Sequence, residues 1–255
     1  MSITNQQRYL FDLQGYIVLE DVLSPSELQA AKTAIDANYH PPETLTQENC
    51  YIHFLHFAPV MLDIMVHPTI IEWVTELCGE NPRLDHAYMY HMRRTQTGPL
   101  ALHGGGDRVN HSEYYYFKNN RMHNGLVVVS VPLNDSNPGD GGFCCIPGSH
   151  KANYNYFDHF DATEYRPPVT HIPIKAGSVL IFTEALTHGT MPWRSETERR
   201  TLFYKYCPAA GSWARWDPEF FNRIRASLPQ DWPPHKRAVA NHLFSPPHIG
   251  EADFA

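Results

Sequence analysis

From Pro82 onward the chain runs as short apolar stretches, Ala87–Met92, Tyr114–Phe117, Leu126–Leu133, Phe143–Ile146, Val179–Phe182 and Thr201–Tyr206, separated by turns rich in Gly, Pro, Asn and Asp. Stretches of that length and composition read as strands, and strands at that spacing fold as a sandwich or barrel. Before Pro82 the texture is different. Gln7–Gly15 reads as a helix and Tyr16–Leu19 as a short strand. Ser24-Pro25-Ser26-Glu27 then opens another helix, because Ser24 can cap, Pro25 suits the first helical position and Glu27 closes a capping box. That helix should run from Pro25 to about Tyr39, and a further one over Pro68–Leu77 should stop at Gly79. The fold expected is mainly β with flanking α.

No Ser/Gly-rich or charged linker divides the 255 residues, so one domain is expected. Its parts are a helical N-terminal support over residues 1–80, a barrel core over 83–207 and a C-terminal cover over 208–255, rich in Pro and aromatics and expected to hold one helix among irregular segments. A net charge of −7 gives no reason to expect nucleic acid or an anionic membrane as partner. The longest apolar runs, such as Gly125–Leu133, fall far short of the roughly 18–20 residues of a membrane span. The opening MSITNQQRY lacks the order of a secretion signal, and a cytoplasmic protein is expected. Five cysteines, two of them adjacent at 144 and 145 and none in a C-x-x-C pair, read as buried free thiols.

Chemistry concentrates in two places. The first is Leu102-His-Gly-Gly-Gly-Asp-Arg-Val-Asn-His-Ser-Glu113. A mononuclear iron site wants a His with a carboxylate two residues on, since i and i+2 of a strand share a face. After His103 that position is Gly105. Asp107 is one substitute, although along an extended strand it would sit roughly 13 Å from His103, so the three glycines would have to turn. His111 with Glu113 is another, with the right register but in a polar stretch. The second place is Leu186-Thr-His-Gly-Thr-Met-Pro-Trp193, followed by a β run beginning at Arg199. There His188 could serve a metal, and the planar fork of Arg199 a carboxylate, at one mouth of the barrel.

These segments, together with "GYIVLEDVLSPSEL", "VPLNDSNPGDGGFCCIPGSHK", "ALTHGTMPW" and "RRTLFYKY", resemble the phytanoyl-CoA dioxygenase branch of the iron(II)/2-oxoglutarate oxygenases. The resemblance implies a double-stranded β-helix, a jelly-roll or cupin-like barrel packed by the N-terminal helices. It implies iron(II) held by His103 and His188, and 2-oxoglutarate anchored by Arg199, eleven residues past the distal His, with Thr190 as a hydroxyl contact. It further implies O2-dependent oxidation of an unactivated C–H bond. Gly105 departs from the family pattern and resembles the site of the iron/2-oxoglutarate halogenases, where a chloride fills the vacated position. Chlorination is therefore the leading expectation. A hydroxylase using Asp107, or Glu113 with His111, and a metal-free binding barrel are the alternatives. Arg93, Arg121 and Lys151 flank the expected mouth and are candidates to receive a small anionic or nucleotide-like metabolite.

Overall fold

The computed structural model describes residues 2–47, 49–94, 100–104, 113–154, 156–158, 160–214 and 217–246. Its helices are α1 (Asn5–Gln14), α2 (Pro25–Asn38), α3 (Pro59–Met65), α4 (Pro68–Cys78), α5 (Pro218–Ala226) and α6 (Pro234–Leu243). Its strands are β1 (Tyr16–Leu19), β2 (Tyr51–Ile52), β3 (Arg83–Met92), β4 (Leu100–His103), β5 (Tyr115–Lys118), β6 (Arg121–Asn124), β7 (Val127–Pro132), β8 (Gly142–Cys145), β9 (Thr170–His171), β10 (Val179–Thr183), β11 (His188–Met191) and β12 (Arg199–Cys207). The helix starts follow the chemistry expected of them. Ser24 accepts from the Glu27 backbone and the Glu27 side chain answers the Ser24 backbone, a closed capping box with Pro25 behind it. Gly15 ends α1 in the left-handed conformation that glycine adopts without penalty.

Two antiparallel sheets face each other. The larger has the order β1-β10-β7-β12-β3-β2 and the smaller β4-β11-β8-β9, with β5 and β6 forming a separate hairpin. This is the mainly β architecture that the strand pattern predicts, in the jelly-roll form that the resemblance implies. Alternation along the large sheet separates two cores. Val127, Val129, Val131, Val179 and Ile181 point to the helices, where they pack with Trp73, Val74 and Leu77 of α4. Val128, Leu180 and Phe182 point the other way and meet Phe143 of the small sheet. Helices α5 and α6 add Phe221, Ile224 and Leu243 to the helix-side core.

The cover segment thus holds two helices where one was expected. Prolines at 218 and 234 mark both starts, each at a first helical turn where a missing N–H costs nothing. All five cysteines are free and buried. Among the described residues no helix is long and apolar enough to cross a membrane.

Candidate active site

Register brings the two expected histidines together. His103, the last residue of β4, lies opposite His188, the first of β11, and their ring centroids are 4.2 Å apart. Each ring is fixed by its own backbone: Nδ1 of His103 lies 2.9 Å from the Ala101 carbonyl and Nδ1 of His188 lies 2.7 Å from that of Leu186. A carbonyl can only accept, so Nδ1 carries the proton in both rings and each Nε2 offers a lone pair. Burial, then the neighbouring His103, push the pKa of His188 down to about 3, so it is neutral and available as a ligand.

A third group completes the cluster, and sequence reasoning missed it. Glu184 follows β10, and one of its carboxylate oxygens lies within 4.8 Å of ligand nitrogens of both His103 and His188. Its Oε2 is 3.7 Å from His188 Nε2, while its Oε1 accepts from Lys205 Nζ at 2.5 Å. The carboxylate is buried, which opposes ionisation, yet the charge and hydrogen bond of Lys205 hold its pKa down to about 2. Lys205 is also buried and projects from β12, its charged nitrogen over the rings of Tyr88 and Trp213. The signal available in the sequence was a lone Glu directly after the buried run Val179–Thr183, where a charge is expensive unless it serves something.

Gly104 explains part of this closeness. It takes φ +75°, and a Cβ there would stand 2.5 Å from the Glu184 carbonyl oxygen and 2.6 Å from that of Leu186. Only glycine lets the end of β4 lie against the 184–186 segment.

Arg199 and Thr190 sit at the same end of the barrel. Thr190 is buried in β11 and lines the narrow cavity also bounded by His103, Glu184, His188, Tyr88, Tyr90, Phe143 and Phe203. Arg199 is 5% exposed, its guanidinium 5.9 Å from the Tyr90 ring centroid and its Nη1 directed at Met92 Sδ. Burial lowers its pKa to about 10, so it keeps its charge at neutral pH. Among the described residues no carboxylate pairs with it.

The remaining expectations fall differently. Gly105, Asp107 and His111 lie outside the described residues. Glu113 is half-buried and close enough to Lys205 to raise its pKa, but it is not a member of the two-histidine cluster. Arg93, Arg121 and Lys151 do not line the cavity. Arg93 is held by Glu198 at 2.6 Å, Lys151 by Asp12 of α1 at 2.9 Å, and Arg121 borders a separate surface cavity with Arg8 and Glu76. Of the three residues expected at a substrate rim, two are paired with local carboxylates and the third is on the β5–β6 hairpin.

The donor set suits one divalent iron, with two imidazole nitrogens and a carboxylate on one side and room for other ligands. The unpaired buried Arg199 suits the far carboxylate of a dicarboxylic acid.

Comparison with known proteins bears on the family and the fold. The family model described as phytanoyl-CoA dioxygenase (PhyH) matches residues 11–201. Ectoine dioxygenase of Sphingopyxis alaskensis is 24% identical over 223 residues, 74% of this chain and 70% of that protein. The structure of HygX from Streptomyces hygroscopicus with nickel and 2-oxoglutarate bound superposes with a TM-score of 0.73 at 24% identity, covering 85% of this chain and 92% of the other. The 2-oxoglutarate-dependent carbocyclase SnoK from nogalamycin biosynthesis gives 0.61 at 17% identity, over 82% and 85% of the two chains.

Proposed function

The chain belongs to the phytanoyl-CoA dioxygenase family of iron(II)/2-oxoglutarate-dependent oxygenases, and from that membership we propose that it oxidises an unactivated C–H bond of a small molecule, with His103 and His188 as iron ligands and Arg199 and Thr190 as the 2-oxoglutarate site. The observation that carries the assignment is Arg199. A guanidinium taken out of water without a counter-charge costs several kcal/mol, roughly what a bound carboxylate would return. Iron(II) with 2-oxoglutarate and O2 supplies the oxidation, the co-substrate leaving as succinate and carbon dioxide.

The chain's own residues do the rest. His103 and His188 present Nε2 because their Nδ1 protons are tied to the Ala101 and Leu186 carbonyls. Arg199 would hold one carboxylate of the 2-oxoglutarate, and the Thr190 hydroxyl would donate to it. Phe143, Phe182 and Phe203 wall the cavity and keep water from a reactive centre.

The substrate is assigned to the wider cavity of about 500 Å³ lined by His53, His56, His86, Ala214, Phe220 and Arg223. His86 of its lining stacks on Tyr88, which lines the inner cavity, and on Trp213. HygX has also been solved with hygromycin B, so a polar small molecule is the class of substrate favoured. Chlorination is not carried forward, since the relatives above are named as a dioxygenase and a carbocyclase and lend it no support.

The test is anaerobic titration of the protein with iron(II) and 2-oxoglutarate, read by the weak visible charge-transfer band of the chelate. The band should appear with the wild-type protein. Its absence at saturating metal and co-substrate would remove the assignment.

A further inference from the structure

We propose that Glu184, and not a residue of the 105–113 segment, supplies the carboxylate ligand of the iron site, with Lys205 as the residue that positions it. The inference rests on the reading of His103 and His188 as an iron centre and deepens it.

The first support is a cluster of ligand atoms that a cation would join. With Nδ1 protonated, the Nε2 atoms of His103 and His188 are lone-pair acceptors, and the Glu184 carboxylate is an acceptor as well. All three point their acceptor atoms into one space less than 4.8 Å across. Acceptors facing one another in a buried site repel unless a positive centre lies among them. Lys205 does not fill that role, since its nitrogen sits against Oε1 while Oε2 is turned to His188. One oxygen is thus neutralised by the protein and the other is left over.

The second support is distance. Neighbouring ligands on an octahedral metal with bonds of about 2.1 Å lie about 3 Å apart. Glu184 Oε2 and His188 Nε2 are 3.7 Å apart, so a closure of under about 1 Å brings them to bonding geometry. The third is the backbone at Gly104, whose missing Cβ admits the 184–186 segment against the end of β4. That approach puts a carboxylate beside His103 although position 105 provides none.

A plain structural ion pair is the competing account of Glu184 and Lys205. Such a pair costs desolvation and is commonly no better than an apolar replacement. It also gives no reason for Oε2 to stand 3.7 Å from His188 Nε2. As ligand, the carboxylate gains a partner for each oxygen. Lys205 then withdraws charge from it and holds its rotamer, the part an outer partner plays at metal sites.

Manganese(II), which takes iron(II) sites without oxygen chemistry, provides the readout: titration of the full chain with Mn(II), the free ion followed by electron paramagnetic resonance, with folding checked by circular dichroism. Glu184→Gln should weaken Mn(II) binding at least about a hundredfold, beyond the loss typical of an outer partner. Because Glu184→Gln leaves Lys205 buried without a counter-charge, the double variant Glu184→Gln/Lys205→Met removes both charges and should show the same loss in a folded protein. Asp107→Ala and Glu113→Ala should stay within about threefold of wild type. A structure of the wild-type Mn(II) complex should place a Glu184 oxygen about 2.2 Å from the metal.

Wild-type affinity in the folded double variant, metal loss in Asp107→Ala or Glu113→Ala, or a Glu184 oxygen more than about 3 Å from the metal overturns the Glu184 assignment and leaves the iron centre standing. Failure of the wild-type protein to bind Mn(II) at all overturns both.

Discussion

Strand β12 has two faces, and they are finished in different ways. Toward the helices it presents Leu202, Tyr204 and Tyr206, and both phenols are satisfied by protein: Tyr204 donates to the Met61 carbonyl at 2.9 Å and Tyr206 to that of Met65 at 2.7 Å. Toward the barrel it presents Arg199, Thr201, Phe203 and Lys205. On that face Arg199 has no carboxylate among the described residues, the Thr201 hydroxyl has no hydrogen-bond partner, and Lys205 is paired with a glutamate whose other oxygen faces two histidines. Both faces are equally buried, so burial does not distinguish them. What does is whether the polar groups find their partners within the chain. The two phenols of the helix face find their partners on folding, and Arg199 and Lys205 on the barrel face are completed by what binds there.

The largest effect expected from this contrast is at His188. His188→Ala removes one of two imidazole ligands and should abolish metal binding and turnover while the protein still melts cooperatively. Retained iron in that variant would break the contrast at its centre. His150 is the counter-case, a buried histidine outside the metal cluster, held by protein at one ring nitrogen. Its Nε2 donates to the Asp12 carbonyl at 3.0 Å, its Nδ1 is enclosed without a partner, and it packs against Tyr115. Burial pushes its pKa down to about 4, with Lys151 adding to the fall and Asp12 opposing it. Its folded pKa lies below the unfolded value near 6.5, so the unfolded chain binds the extra proton first. Stability from this group is therefore present above pH 6.5 and lost as pH falls toward 4, by up to about 3 kcal/mol. His150→Gln should flatten that part of the stability profile in denaturant titrations at pH 7 and pH 4.5. An unchanged slope would place the acid sensitivity elsewhere.

Next in size is Arg199→Ala, which should raise the 2-oxoglutarate requirement by about 1.5–3 kcal/mol, roughly tenfold to over a hundredfold, through loss of a charge-assisted pair. Melting temperature without co-substrate should hold or rise, because an unpaired buried charge has been removed. Tyr204→Phe does the reverse on the other face. It should cost about 1 kcal/mol of stability, through loss of the hydrogen bond to the Met61 carbonyl, and leave metal and 2-oxoglutarate affinity unchanged. A shift in either affinity would show the two faces to be coupled.

The sequence made the barrel face partly legible. His188 and Arg199 stand on neighbouring β runs at a fixed spacing, and the period-two alternation of Val179–Phe182 and Thr201–Tyr206 assigns sides. Glu184 was hidden for a physical reason. The search for a carboxylate looked two residues beyond His103, where a strand would put it, whereas Glu184 comes from a turn after β10 and reaches His103 only because β4 and β11 pair. Contacts made by the fold leave no local spacing to read. Helix α3 was missed because seven residues, Pro59–Met65, with four buried show no periodicity that outlasts noise. The state of the basic residues is hidden for a related reason: the partners of Arg93 and Lys151 are Glu198 and Asp12, distant in the chain and near in space.

The smallest effect is expected one residue from one of the largest. Arg200 follows Arg199, so its side chain leaves β12 on the opposite face, where Nη1 meets Asp36 of α2 at 2.5 Å. Asp36 is 62% exposed, and ion pairs open to solvent contribute about 0.2–1 kcal/mol. Arg200→Ala should therefore lower stability by no more than that, progressively less as salt is added, and leave the concentration of 2-oxoglutarate needed for half-maximal turnover where it was. The two neighbouring arginines are alike in charge and in strand, so the pair isolates the face as the variable. If Arg200→Ala raised the co-substrate requirement and Arg199→Ala did not, the register of β12 against β3 would have to slip by one residue, and every assignment made to the barrel face would move to the helix side with it.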